Sequence, residues 1–443
     1  MRPFLGLKPG SIQPISFVAH MLRFKQAEQS DLADFTRERH EQQGRLDMFG
    51  FLKRKRKSLI GMDIGSNVVK CLRLDLTNDR PVITHFAMVD LPPEAIVDGE
   101  IMDRELVIQA IQDCADKATL PDEPIASAVA GRAVIVKKIV MDKMGEDDAR
   151  EAIYWEAEQH VPFDIDDITL DFQILQEDIG ADQMELLLVA AKKDMILTHA
   201  ELIRDAGFDP LIIDVASFAN QNSWEYSAGV GAFAPDHDID EDEEKPRDSD
   251  SSDMDEFDSE IDENAEAEAE AEAAPSEFVA LLDVGGGVTN VHIIKDGVPY
   301  FTRDLPIGVA QFSEEFQKQL GLTYETAQWV ARGHTDDVDE QLVVDIVRSV
   351  GSEIYQGLEP SLSYLKTAGE ADGIDRIVLS GGGAHLPGLR EYLADSYGVP
   401  SEVADPLAWL DYDPELFPEG EAPALSPLLT VSVGLALREA VGS

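Results

Sequence analysis

The chain has 443 residues, of which 87 are Asp or Glu and 36 are Lys or Arg, a formal net charge of −51. A surface this acidic argues against nucleic-acid binding, where each phosphate contact consumes a cation, and suits solubility at high salt. At 44% hydrophobic residues the chain can build real cores, and a chain of this length divides into roughly two to four domains.

Two cysteines, Cys71 and Cys114, have neither disulfide-framework nor metal-ligand spacing; Cys71, in an apolar segment after the first glycine turn, reads as a buried free thiol, a pattern that fits a reducing cytoplasm. No apolar run is long enough to span a bilayer and no signal peptide opens the chain. The nearest approach, "ALSPLLTVSVGLALREAV", is interrupted by Ser426, Pro427 and Ser432 and ends in Arg438 and Glu439, so it predicts a buried closing helix.

Residues 1–47 show no sustained periodicity. "MFGFLKRKRK" follows, setting hydrophobes against five consecutive basic residues. It reads as a solvated linker or as a weak membrane-surface contact through Met48 to Lys57. A start at Met48, leaving residues 1–47 untranslated, is a further reading. From Leu59 the pattern is strand, Asp-x-Gly turn and strand, "SLIGMDIGSNVVKCLRLDL", then a third strand at "PVITHFAMV". A helix follows near Leu106 to Lys117 with Ile108, Ile111, Cys114 and Ala115 on one face, and "IASAVAG" reads as a buried strand.

A compact α/β unit comes next: strand "AVIVKKIVM", helix "GEDDAREAIYWEAEQHV" with an acidic first turn, strands "ITLDFQIL" and "MELLLVAAK", and a second helix ending at Gly207. Tyr154 and Trp155 on its first helix read as core aromatics or as a partner surface. "LIIDVASFANQNSWEY" continues as strand into helix. From about Ser227 to Ser276 the chain is rich in Asp, Glu, Ser and Ala and nearly free of large hydrophobes, so it reads as a disordered, solvated loop. Residues 236–272 alone hold 20 Asp or Glu against Lys245 and Arg247, and the acid excess still extends over the rest of the chain.

Beyond the loop, "FVALLDVGGGVTNVHII" repeats the first turn's pattern. "VPYFTRDL" is a strand, helices run through Gly308 to Leu320, Tyr324 to Arg332 and Asp337 to Lys366, and "IDRIVLSGGGAHLPGLREYLADSYG" is strand, triple-glycine turn and helix. The result is two half-domains, each with its own glycine-tipped sheet.

A buried strand ending in Asp-x-Gly forms a hairpin whose backbone N–H groups can cradle phosphate oxygens, because glycine permits close approach. Asp63 or Asp283 can then hold hydrated magnesium or orient water. One such turn is weak evidence, since Asp-Gly is also a common hairpin signal. Two matched copies are stronger, and the third turn, Gly381 to Gly383, suits the approach of an adenosine. His160, His292 and His385 show no nucleophile or metal spacing and read as surface or packing residues.

The order of these three turns resembles the actin-like ATPases, and within them the PilM family of type IV pilus assembly, with FtsA as cousin. "FLKRKRKSLIGMDIGSNVVK", "WEAEQHVPFDIDDITLDFQIL", "LSGGGAHLPGLREYLADSYGVPSEVADP" and "VGLALR" carry the resemblance. It implies an α/β fold of two related halves. Residues 1–57 are then an extension, 58–135 subdomain IA, 136–208 subdomain IC, and 209–228 a connecting segment. The acidic insertion is 229–277, subdomains IIA and IIB are 278–424, and 425–443 is a closing helix returning to IA.

The resemblance further implies ATP with Mg in the cleft. The candidate binding residues are Gly65, Ser66, Asn67, Lys70, Gly285, Gly286, Gly287, Thr289, Gly381, Gly382 and Gly383, with Asp63 and Asp283 toward Mg and water. It implies a PilN-like inner-membrane protein, bound through its cytoplasmic N-terminal segment, as partner, and a cytoplasmic location peripheral to the inner membrane. Departures from the family pattern stand at Ala216, where relatives carry Glu, and at Gln328 and Ala331, where they carry the Glu and Lys of a ribose contact. Hydrolysis is therefore expected to be slow or absent. An FtsA-like division protein and a small-molecule kinase of the same fold are the alternatives. The chain shows no substrate carboxylate beyond Asp63 and Asp283, and no membrane-binding helix after "GLALREAVGS".

Overall fold

The structure, a computed structural model, describes residues 59–77, 80–97, 99–228, 277–368 and 373–438. The stretch Met48 to Lys57 and the acidic insertion up to residue 276 lie outside the described residues.

The first half opens with β1 (Ile60–Ile64), β2 (Val68–Asp75) and β3 (Val82–Asp90), an antiparallel meander. A short ribbon, β4 (Ile96–Val97) and β5 (Glu100–Ile101), leads to α1 (Arg104–Ala118). The side chain of Asp103 caps α1 by accepting from the N–H groups of Glu105 and Leu106. The buried face of α1 is Val107, Ala110, Ile111, Cys114 and Ala115, whereas Ile108 is only half-buried. Ile111, Cys114 and Ala115 of the expected face are buried, Ile108 packs at the edge of the same core, and Val107 and Ala110 widen the stripe. β6 (Ile125–Val129) runs parallel to β1.

The inserted unit is β7 (Val134–Asp142), α2 (Glu146–His160), β8 (Ile168–Gly180), β9 (Gln183–Lys192) and α3 (Lys193–Asp205). β10 (Pro210–Val215) then returns to pair with β6, and α4 (Ala216–Ala228) follows directly. The first sheet has the order β10-β6-β1-β2-β3-β16. Its core joins Met62, Cys71, Ile111, Cys114, Ile125, Ile213 and Phe218. Both thiols are buried and free, with sulfurs 3.1 Å apart.

The second half contains β11 (Phe278–Val284), β12 (Thr289–Lys295) and β13 (Val298–Leu305), then α5 (Val309–Leu320), α6 (Tyr324–Ala331) and α7 (Glu340–Ala368). β14 (Arg376–Ser380) pairs parallel with β11, and α8 (Leu389–Tyr397) and β15 (Ser401–Val403) follow. Phe312, Phe316, Val347 and Ile354 are completely buried in its core.

β16 (Asp411–Tyr412) then pairs with β3, so the chain rejoins the first sheet before residue 425, earlier than the sequence indicated. α9 (Ala422–Leu425) and α10 (Thr430–Ala436) close the fold. α10 is buried throughout and runs against both α4 and β1, where Gly434 and Gly61 leave room for its backbone to approach. Arg438 locks this arrangement: its Nε lies 2.7 Å from the buried carboxylate of Asp214 on β10.

The inserted unit extends the second sheet, whose order is β15-β14-β11-β12-β13-β7-β9-β8. Phe301 of β13 pairs with Lys137 of β7, and Lys138 Nζ sits 5.2 Å from the centre of the Tyr300 ring. The unit therefore hangs covalently from the first half while its strands continue the second. Among the described residues, no helix is long and apolar enough to cross a membrane.

Candidate functional site

The two Asp-x-Gly turns are the same structure built twice. In the first, β1 and β2 pair Ile64 with Val69, and the Gly65 N–H donates to Val68 O at 3.1 Å. In the second, β11 and β12 pair Val284 with Thr289, and the Gly285 N–H donates to Val288 O at 2.9 Å. In each, a purely apolar strand delivers its aspartate to the strand's end, so burial of the neighbours fixes where the carboxylate points.

The turns meet across the two halves. Asn67 lies so close to Gly286 that a Cβ there would come within 2.5 Å of its side-chain oxygen, and Gly287 faces the Ser66 hydroxyl. Only a residue without a side chain fits at Gly286 without moving Asn67. The carbonyls of Gly285 and Gly286 accept from Val309 and Ala310, which fixes the second turn on the first turn of α5.

The third turn closes from the side. Gly381 has φ of +75° and lies against Val284 O, and its N–H donates to Pro427 O at 2.8 Å, tying the turn to the closing segment. Gly382 is half-buried and Gly383 buried against Val284. Thus Asp63, Gly65, Ser66, Asn67, Lys70, Asp283, Gly285, Gly286 and Gly287 come together, with Gly381 beside them.

Thr289 does not present its side chain to this cleft. It is buried, and its hydroxyl donates to Ile307 O at 2.6 Å. Alternation along β12 turns position 289 inward and 290 outward, which the turn motif alone did not indicate.

The electrostatics divide the two aspartates. Lys70 is ion-paired with Asp63, both side chains being mostly buried. Burial works against the charge on Lys70, but Asp63 and, more distantly, Asp283 outweigh it and hold the ammonium above the ordinary lysine range. Among the described residues Asp283 accepts from the Ser380 hydroxyl alone, at 3.4 Å, and Ser380 in turn accepts from Asn220 Nδ2 of α4 at 3.3 Å. Burial raises the Asp283 pKa to about 6; Lys70 pulls it down and Asp63 pushes it up. Two carboxylates thus share one cation.

A second layer supports Asp63 from behind. The Ser127 hydroxyl donates to Met62 O at 2.7 Å and faces His199 Nε2 at 2.9 Å. The imidazole is buried, and burial lowers its pKa to about 4, so it is neutral and serves as the donor to Ser127. His292 is likewise a packing residue, buried with Nε2 2.7 Å from Gln221 Oε1.

Ala216 opens α4 next to the buried Asp214–Arg438 pair, and burial there raises the Asp214 pKa even though Arg438 opposes it. Ala331 is buried in the core of the second half and faces away from solvent. Gln328 is half-buried, and the exposed cation of this segment is Arg332, followed by His334 stacked on Trp329 with centroids 3.8 Å apart. His385, next to the third turn, has its pKa lowered chiefly by burial, with His334 and Arg332 adding to the effect. Arg332 and His334 thus sit just beyond the position 331 at which the family pattern has its lysine, near enough to His385 to act on it.

A family model described as type IV pilus assembly protein PilM matches residues 61–236 and 252–440. A solved PilM–PilN type IV pilus biogenesis complex is similar with a TM-score of 0.67 at 24% identity, over 86% of this chain and 98% of that one. The cell division protein FtsA of Borreliella burgdorferi is 21% identical over 154 residues, which is 29% of this chain and 37% of FtsA. That match spans well under two thirds of the curated relative. The paired halves have the actin-like ATPase fold, and the chain belongs to the PilM family of type IV pilus assembly proteins.

Proposed function

We propose that this chain is an adaptor of type IV pilus assembly that binds ATP between its halves and the cytoplasmic N-terminal segment of a PilN-like inner-membrane protein. It works on the cytoplasmic side, held at the inner membrane through that partner. The observation that carries the nucleotide reading is the facing pair of turns, with Lys70 between the two aspartates. The family match supports the pilus role, and the similarity to a PilM–PilN complex supports the choice of partner.

Magnesium fits one aspartate better than the other. The Asp63 carboxylate is already engaged by Lys70, whereas Asp283 has, among the described residues, one long hydroxyl contact and a raised pKa. Among the described residues, no group of three or more His, Cys, Asp or Glu is placed to hold a metal. An ion held through water by Asp283 and by the nucleotide's own phosphates is the arrangement these residues allow. Magnesium there would neutralise phosphate charge. Lys70 would meet the phosphates, and the N–H groups of the glycine turns would orient them.

Ala216 supplies no carboxylate to orient water. Hydrolysis is therefore slow or absent, and nucleotide acts by holding the halves in register.

The test is calorimetric titration of the full chain with the N-terminal cytoplasmic peptide of the PilN-like protein from the same genome, with and without Mg-ATP, at high salt. Saturable one-to-one binding is expected. Absence of binding by folded protein would remove the adaptor reading.

A further inference from the structure

The helix α2 of the inserted unit buries Ala149, Ile153 and Ala157 against Ile168, Phe172 and Leu186. Its opposite face carries Tyr154 and Trp155, 46% and 73% exposed. Trp155 is the most exposed large hydrophobic side chain among the described residues. The sequence left open whether this pair is core; it is surface.

Asp147, Glu151, Tyr154, Trp155 and Glu158 recur at helical spacing, and all are exposed. Single exposed apolar residues are ordinary, but adjacent aromatics flanked by Asp147, Glu151 and Glu158, with the nearby Arg150 already paired to Glu146, have the composition of an interface centre with a net acidic rim.

The rim selects the occupant. Carboxylates around the aromatics disfavour anionic lipid and nucleic acid and favour a segment that brings apolar side chains together with positive charge. In a chain of net charge −51, "MFGFLKRKRK" at 48–57 has that chemistry, with Phe49, Phe51 and Leu52 followed by five basic residues in a row.

Topology places the two ends apart. β1 and β6 run parallel, and the inserted unit leaves from the far end of β6. The described chain enters β1 at Leu59, so its entry point and the departure point of the inserted unit stand at opposite ends of the β1–β6 pair.

We propose that the Tyr154–Trp155 face of α2 binds the Met48–Lys57 stretch of a second copy of this chain. Each copy then offers one surface of each kind, a heterologous head-to-tail contact.

Sedimentation velocity on the full chain tests this. The wild type is expected to associate with increasing concentration at about 0.15 M salt, and at least about tenfold more weakly at 1 M. Trp155→Ser should abolish association, and so should a variant with Lys53, Arg54, Lys55, Arg56 and Lys57 all changed to Gln. Glu151→Lys combined with Glu158→Lys, which leaves the aromatics and the buried face of α2 intact, should do the same. Mixing the Trp155→Ser chain with the five-Gln chain should restore a pair, because each keeps one working surface, and growth should stop at two copies. A wild type that stays monomeric throughout would overturn the proposal. So would association that survives Trp155→Ser, or a basic stretch that binds anionic vesicles while self-association is absent.

Discussion

The two glycine turns share a backbone and differ in charge. In the first, Asp63 lies opposite Lys70 across the β1–β2 pair. In the second, the same register sets Asp283 opposite Asn290. The first turn carries its own counter-ion, and the second borrows a share of it across the interface. Ser66 and Asn67 of the first turn likewise project toward Gly286 and Gly287 of the second. A motif repeated for its backbone need not repeat its electrostatics, and the under-neutralised copy is the one suited to a cation.

The largest expected effect comes from removing the shared cation. Lys70→Met leaves Asp63 and Asp283 facing each other in a mostly buried site. It should lower stability by about 3 kcal/mol in chemical denaturation. Adding Asp63→Asn should recover a large part of that loss, and the double-mutant cycle measures the coupling.

Next comes the fit between the turns. Gly286→Ala places a methyl group 2.5 Å from the Asn67 side chain, which should cost about 1–3 kcal/mol. The reverse change, Ser66→Gly on the facing turn, should be nearly silent. Equal effects would mean that the turns do not press on one another.

The third prediction concerns pH. The Asp283 pKa is raised from 3.8 to about 6, so the folded state holds this proton more tightly than the unfolded chain does. Below about pH 4 both states are protonated and burial carries no penalty. Stability should then fall as pH rises toward about 6 and stay reduced above it. Asp283→Asn should therefore exceed the wild type by about 1–2 kcal/mol at pH 7, after allowance for partial exposure, and match it near pH 4. Thermal melts across that range give the difference curve.

The smallest effect is expected from Asn290→Lys, which gives the second turn the cation that the first already has. It should raise stability at pH 7 by about 1 kcal/mol and flatten the pH response.

The sequence made the turns legible because they are local. Apolar runs flank Asp-x-Gly on both sides, and each aspartate's cross-strand partner lies seven positions further along the chain. The halves and the inserted unit were also readable from periodicity, down to the acidic first turn of α2.

Long-range contacts were not readable. Asp214 and Arg438 pair across 224 residues, and both are of types that usually lie at the surface. The Ser127–His199 contact behind Asp63 leaves no mark in either local pattern. Nothing in "VPYFTRDL" shows that this strand will accept β7 from the inserted unit, because edge pairing is set by where the two units come to lie. The direction of Thr289 failed for a simpler reason: a turn motif fixes the backbone, and strand alternation decides which side chains face the cleft.

The most direct measurement is the Mg²⁺ dependence of ATP binding by the full chain, wild type against Asp283→Asn, by calorimetry. If the second turn is the cation side, Mg²⁺ should tighten ATP binding by about tenfold or more in the wild type, equivalent to at least about 1.4 kcal/mol, and add nothing in the variant. An undiminished Mg²⁺ gain in Asp283→Asn would contradict the assignment of the two turns.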